Sequence, residues 1–253
     1  LLVIGIGAGD PEHVTTQAIR ALNEVDVFFV VDKRGDASDL VALRTEICDR
    51  YVEGSSYRIV EVADPPRDRK ATAYGDAVDD WRRRRGAVWE SLLRDELGED
   101  GVGAFLVWGD PSLYDSTLAV LEQILERGTV AFDYEVVPGI SSVHALTARH
   151  RIPLNRVGGA VQITTGRRLA RGWPEGVDDV VVMLDADCSF RHLDPAGVEI
   201  YWGAYLGTAD ELLVAGPLAE VGEEIARVRA RARDRKGWIM DTYLLRRRSR
   251  ASE

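Results

Sequence analysis

Through its first half the chain alternates two apolar patterns, and no other feature constrains its fold as much. Short runs rich in β-branched and aromatic residues, at 1–4, 27–31, 58–62, 105–107 and 134–137, are each followed by a segment whose apolar residues recur about every 3.6 positions. The pattern predicts an α/β domain with a mostly parallel sheet. Helices are expected from an N-cap at Thr15 or Thr16 to residue 25, over 37–51, 71–97 and 113–127, and from near Ser141 to about His150. The Pro65-Pro66 pair ends the third strand. In the segment 71–97, Tyr74, Val78, Trp81, Val88 and Leu92 fall on one stripe, and the arginines at 82–85 are taken as a solvated face.

After Arg151-Ile152-Pro153-Leu154 the texture changes. Strands at 160–164, 180–184, 199–205, 212–215 and 238–245 are less regularly separated, with one clear helix at 218–233. Two α/β domains are therefore expected, 1–154 and 155–253, with the boundary near 151–158 and a mixed sheet in the second.

Composition narrows the classes of function. A formal net charge of −10 argues against a nucleic-acid binder that relies on neutralising phosphates. Cys48 and Cys188 are isolated and expected to be buried free thiols; the four histidines form no HxxxH or HExxH, so no metal is expected. No apolar run is long enough for a membrane span and no basic leader with a cleavage site opens the chain, so a cytoplasmic protein is expected, its natural start a residue or more before Leu1.

Three loops follow buried strands. The first, GIGAGDP at 5–11, has glycines too close for the GxGxxG turn of a dinucleotide site, and Asp10 sets a negative charge where a pyrophosphate would lie. Only Asp32 is available as a ribose partner, and it is out of frame. No Walker loop is present. The second loop is WGDPSLYDS at 108–116, again strand to Gly-Asp-Pro; the third is VPGISS at 137–142, a Pro-Gly turn with two hydroxyls at a helix start. On one parallel sheet all three open at its carboxyl edge, where open α/β sheets put their sites, and they bring Asp10 and Asp110 toward a common crevice.

GIGAGDP, GDPSLY, VPGISS, the PLNR segment, VVML and VAGPLAEV, in this order, resemble the tetrapyrrole methylase family, the S-adenosylmethionine-dependent C-methyltransferases of uroporphyrinogen and precorrin chemistry. The resemblance implies two α/β domains with the methyl donor in the cleft between them, and a homodimer. Trp108 before the GDP, the continuation SLYDST, the insert at 67–90 and the ending GWIMDTYLLRR are similar to the branch that methylates C1 of precorrin-5 and removes an acetyl group. Ala8 stands where most of the family carries proline, which leaves the local loop shape open. Other outcomes weighed are a methylase of the same fold with a different target (another precorrin, or diphthine synthesis), an NAD-dependent oxidoreductase, and a ligand-binding protein without turnover.

The resemblance carries donor-binding roles to Ala8, Trp108, Gly109, Asp110, Leu113, Ser141, Ser142, Met183, Leu184, Ala215, Gly216, Pro217 and Leu218, with Tyr205 and Leu206 as weaker candidates. A sulfonium wants backbone carbonyls, apolar walls and few polar anchors. Met183 and Leu184 read equally as core. Asp10 is the first candidate for a base and reads equally as a turn former before Pro11; Tyr114 is the second candidate. For a polycarboxylate substrate, Lys33, Arg34, Arg167 and Arg168 follow strand ends, with Arg67 and Arg69 behind them.

Overall fold

The computed structural model describes residues 1–32, 38–54, 56–66 and 74–248. They form two compact units, Leu1–Ile140 and Ser141–Glu253.

The first unit runs β1 (Leu2–Gly5), α1 (Thr16–Leu22), β2 (Val27–Asp32), α2 (Ser38–Tyr51), β3 (Arg58–Ala63), α3 (Tyr74–Glu96), β4 (Gly103–Val107), α4 (Thr117–Arg127) and β5 (Glu135–Val137). Its five strands are all parallel, in the order β3-β2-β4-β1-β5. Side chains alternate across the sheet with period two. Leu2, Ile4, Phe28, Ala104 and Leu106 meet α1 and α2 through Ala18, Leu22 and Ile47. Val3, Phe29, Phe105 and Val107 meet α3 and α4 through Trp89, Val120 and Ile124. Both faces are covered, which is why the strands read as unbroken apolar runs. The Thr15 hydroxyl accepts from the amide of Ala18 (3.1 Å) and starts α1 as expected. The helix expected from residue 113 starts at Thr117 instead. Tyr114 takes a left-handed φ of 54°, and Asp115 Oδ1 accepts the Thr117 amide (2.6 Å), so the turn is spent before the helix begins.

The four arginines of α3 do not form one solvated face. Arg83 and Arg84 pair with Asp80 one turn back, exposed, and half-buried Arg82 lies 3.6 Å from Asp79. Arg85 is buried, its Nε 3.0 Å from Asp64 Oδ1, and its guanidinium lies over the rings of Trp81 (4.6 Å) and Trp89 (4.9 Å). Positions 81, 85 and 89 are successive helical turns, so Arg85 belongs to the apolar stripe by spacing, and Asp64 after β3 supplies its counter-charge. Burial lowers the pKa of this guanidinium and Asp64 opposes the shift.

The second unit runs α5 (Ser142–His150), β6 (Val161–Thr165), α6 (Gly166–Leu169), β7 (Asp179–Met183), β8 (Val198–Ala204), β9 (Leu212–Pro217), α7 (Leu218–Lys236) and β10 (Asp241–Arg247). The sheet order is β6-β7-β10-β8-β9, with β6 and β7 parallel and the remaining pairs antiparallel, a mixed sheet as expected. Val180, Val182, Ile200, Trp202, Tyr243 and Leu245 form its core with Leu218 and Ile225 of α7. The other face takes α5: a Cβ on Gly203 would lie 2.8 Å from Leu146, and His150 donates from Nε2 to the carbonyl of Trp202 (3.1 Å). The change of texture at 151–158 thus marks the end of α5, whereas the units part before it.

Cys48 and Cys188 are free and buried; burial, with Asp49 nearby, pushes the Cys48 thiol up to about 12. No helix of the described residues is long and apolar enough to cross a membrane.

Removing Arg85 as Arg85→Ala is expected to lower unfolding free energy by roughly 3–5 kcal/mol, as for breaking a buried ion pair, read from urea titrations. Burial lowers the pKa of half-buried His150 from its ordinary 6.5, opposed by the Trp202 bond and Glu211. The fold therefore prefers the neutral ring. Its contribution is complete above about pH 6.5 and is lost as pH falls toward the lower folded value. His150→Gln is expected to flatten that acid limb of a stability-against-pH curve; an unchanged limb would assign it to other groups.

Candidate active site

In the first unit β4, β1 and β5 are neighbours, so the three loops predicted from the sequence leave the same edge side by side. Past the strands their backbones interlock. Ile6 N–H donates to Val107 O (2.9 Å), and Gly109 N–H to Gly7 O (2.7 Å). A Cβ on Gly5 would lie 2.6 Å from the amide nitrogen of Gly139; one on Gly139 would collide with Gly109 O and stand 2.8 Å from the Gly5 carbonyl carbon. No side chain fits at either position.

Asp110 ties the turns together. Its Oδ1 accepts from the amide (2.9 Å) and hydroxyl of Ser112, and its Oδ2 accepts from the amide of Gly139 (2.9 Å). Asp10 caps a single 3-10 turn at Pro11–His13, its Oδ1 accepting from the amide of Glu12 (2.8 Å), the Asx geometry of a turn former. That turn occupies the place where a dinucleotide site needs an open helix start, since α1 waits until Thr16. Ala8 is buried, Trp108 packs against the core beneath α1 and α2, and Leu113 N–H donates to Asp110 O (3.2 Å). Tyr114 remains 45% exposed in its left-handed conformation.

In the second unit Ser141 stands buried at the N-cap position of α5, its hydroxyl 2.9 Å from His144 Nδ1 and making no bond to a helix amide; Ser142 opens the helix. Register brings the ends of β6, β7 and β8 to one edge: Thr165 stands opposite Met183, Met183 opposite Thr242, and Thr242 opposite Gly203. Met183, Leu184, Tyr205 and Leu206 share this edge, and Arg167 and Arg168 leave it in α6, both exposed. Residues 215–218 do not share it: Ala215 pairs with Tyr201 in mid-strand and Gly216 with Ile200, Pro217 pairs with Glu199 at the opposite edge, and Leu218 is buried at the start of α7. The VAGPLAEV motif runs from β9 into α7.

Leu184 is 67% exposed at a left-handed φ of 54°. Leu184 thus combines a left-handed backbone with an exposed apolar side chain. Tyr205 also has a left-handed φ, but its ring is buried and its hydroxyl donates to Trp238 O (2.6 Å), which leaves only backbone to meet a ligand; Leu206 is buried against Gly203. Tyr114, Leu184 and Tyr205, all named from the sequence, are among the five non-glycine residues with left-handed backbone in the described part of the chain.

Lys33, Arg34, Arg67 and Arg69 lie outside the described residues. Sequence reasoning missed Arg44, which donates from Nε to Leu106 O (3.1 Å) where β2 and β4 stop pairing after Phe29 and Phe105. Burial lowers its pKa, and Asp115 opposes the shift. It missed Met240 as well, whose carbonyl accepts from the Tyr205 amide (3.0 Å) at the edge of the second sheet.

The chain belongs to the tetrapyrrole (corrin/porphyrin) methylases, whose family pattern matches residues 1–222. It is a methyltransferase of a family that uses S-adenosylmethionine. Over 246 residues, 97% of this chain and 94% of the relative, it is 52% identical to precorrin-6A synthase [deacetylating] of a Sinorhizobium species. A protein described as cobalamin synthesis related (CobF), from Corynebacterium diphtheriae, has a similar structure with a TM-score of 0.84, at 39% identity over 97% of both chains. Uroporphyrin-III C-methyl transferase from Thermus thermophilus, solved with S-adenyl homocysteine, shares the fold at 22% identity and a TM-score of 0.58, over 96% of this chain and 95% of that one.

Gly139→Ala is expected to destabilise the first unit by about 1–3 kcal/mol, the usual cost of overpacking, because its neighbours are backbone and cannot rotate away. Thermal unfolding checks this; an unchanged midpoint would mean that the three turns are not interlocked.

Proposed function

We propose that this chain is a precorrin-6A synthase, methylating C1 of precorrin-5 from S-adenosylmethionine and, with uptake of one water, releasing the acetyl group as acetate. The observation that carries the proposal is the 52% identity to a curated precorrin-6A synthase across nearly the whole of both chains. The residues suit the donor. In the first unit the edge offers glycine backbone and the carboxylates Asp10 and Asp110, which disfavour a phosphate; in the second unit the edge offers the exposed apolar side chain of Leu184.

When bound, the donor supplies a methyl group that an electron-rich ring carbon displaces in line. The thioether leaves without needing a proton, so the work of the chain is alignment and exclusion of water, worth up to roughly 7–11 kcal/mol in favourable systems. In this reading Gly109, Asp110, Leu113, Ser141, Ser142, Met183, Leu184 and the backbone of Tyr205 and Leu206 hold the donor. Asp110 does so by shaping the turn. Residues 215–218 are left out because of their register. Asp10 moves a proton on the macrocycle while keeping its cap to Glu12, with Tyr114 the second candidate for that role, and Arg167 and Arg168 take carboxylates of the substrate. The working form is a homodimer.

Calorimetry is expected to register binding of S-adenosylhomocysteine and none of NAD; heat with NAD alone would sink the methylase reading. Incubation with precorrin-5 and labelled donor is expected to give a product one methyl heavier and one acetyl lighter. A product that keeps its acetyl group, or no turnover of this macrocycle, would assign another member reaction. Asp10→Asn keeps an acceptor for Glu12 and is expected to lower kcat by about a hundredfold, the lower range for a positioned proton-transfer group, with unchanged melting. Full turnover would leave Asp10 a turn former.

A further inference from the structure

The exposed Leu184 needs something beneath it that enforces its left-handed backbone, and the second unit contains such a device immediately after it in sequence. Asp185 is buried and its carboxylate is saturated. Oδ1 accepts from the Asp187 amide (3.1 Å) and the Ser189 hydroxyl (2.9 Å); Oδ2 accepts from the Ser189 amide (2.7 Å) and the Tyr243 hydroxyl (2.6 Å). Burial, with Asp185 alongside, pushes the Tyr243 pKa up, so the phenol stays a donor. The backbone of the same loop is held separately. Arg229 of α7 donates from Nη2 to Asp185 O (2.7 Å) and from Nη1 to Ala186 O (3.2 Å), while its Nε binds Asp241 (2.9 Å). Burial opposes charge on Arg229, but Asp241 beside it holds its pKa above the ordinary value. Trp202 Nε1 completes the set on Asp241 (2.9 Å).

Gly166, at the start of α6, fits against this carboxylate with no room to spare: a Cβ there would overlap Asp185 Oδ1 and stand 2.6 Å from Asp185 Cβ. One buried carboxylate therefore spaces the β6–α6 turn, the loop after β7 and β10 from one another. The loop it spans is bounded by two left-handed non-glycine residues, Leu184 and Cys188, whose strain persists only where surrounding bonds over-determine it.

We propose that Asp185, locked by Arg229 and Tyr243, is a positioning residue that holds Leu184 in its left-handed conformation for the methyl donor. It touches no reactant; it acts through Leu184. The inference rests on the proposed donor site. Loosening the lock lets Leu184 relax to ordinary backbone, and the donor must then select the residual competent fraction. Affinity falls by that fraction while the chemistry of the bound complex is unchanged.

The test measures S-adenosylhomocysteine affinity by calorimetry, and donor KM and kcat, in four proteins. The wild type comes first: if it does not bind S-adenosylhomocysteine, the proposed function fails and this inference with it. Asp185→Asn and Gly166→Ala disturb the same carboxylate in unlike ways, the second leaving every charge in place. Each is expected to raise Kd and donor KM about tenfold or more, as for a competent fraction reduced to a tenth, with kcat at saturating donor little changed. Trp202→Phe removes a bond on the far side of Asp241 and is expected to lower the melting temperature while leaving donor affinity within about twofold. Wild-type affinity in both Asp185→Asn and Gly166→Ala would overturn the inference and leave the proposed function standing. An equal loss in Trp202→Phe would assign the effect to general stability and overturn it too. If Asp185→Asn does not fold, Gly166→Ala carries the same decision.

Discussion

The contact of Gly109 O with the backbone of Gly5 and Gly139 is what the first unit's site depends on. Three loops that begin on neighbouring parallel strands diverge unless something draws them back over the sheet edge. Here the absence of side chains at 5 and 139 lets main chain touch main chain, and Asp110 spends its carboxylate on the amides of Ser112 and Gly139. Such a joint has few soft degrees of freedom, because backbone has no rotamers to exchange. Loops joined in this way present a surface set in advance, which suits the methyl transfer proposed for this chain, whose barrier is lowered chiefly by alignment.

The second unit solves a similar problem with the same kind of group. Asp185 directly follows the strand end at Met183 and Leu184, as Asp110 follows Trp108 and Gly109 after β4. Each carboxylate caps amides shortly downstream and then reaches across to another segment: Asp110 to Gly139, Asp185 to Tyr243. A carboxylate suits this use because it accepts several bonds at once, and bonds to an ionised acceptor are stronger than neutral ones. The comparison changes the reading of conspicuous acidic residues in this chain. Asp10, Asp110 and Asp185 all stand in loops after strands, and all three are engaged in shaping those loops; Asp10 is the one whose proposed chemistry requires more of it than that.

Arg85 shows where reading by residue type misleads. The run of arginines at 82–85 reads as surface, and Arg83 and Arg84 are surface, with Arg82 half-buried. The fourth sits one turn from Trp81 and one from Trp89, and the helical period alone assigns it to the buried stripe. Its counter-charge, Asp64, lies beyond β3 and far back in sequence, so nothing local announces that burial is tolerable. The end of β4 has the same character. Arg44 is fixed by a carbonyl left unpaired where β2 and β4 stop pairing, and that vacancy exists only once the strand order is known.

What the amino-acid sequence by itself determined is local or periodic: the strands as apolar runs, the helices between them, a parallel sheet in one unit and a mixed sheet in the other, the three turns after strand ends, and the family motifs these turns carry. Such features follow from short-range backbone preference and from side chains alternating between two faces, and both are written in consecutive residues. Tertiary structure alone decided which candidates share an edge. Strand register placed Met183, Leu184, Tyr205 and Leu206 together and carried residues 215–218 away, although motif order had grouped them all. It also decided that Arg85 is buried, that Asp110 is a clamp, and that Leu184 stands strained and open above a saturated carboxylate. Pairing partners in those cases are set by packing between segments distant in the chain, and no local preference encodes a distance across the fold.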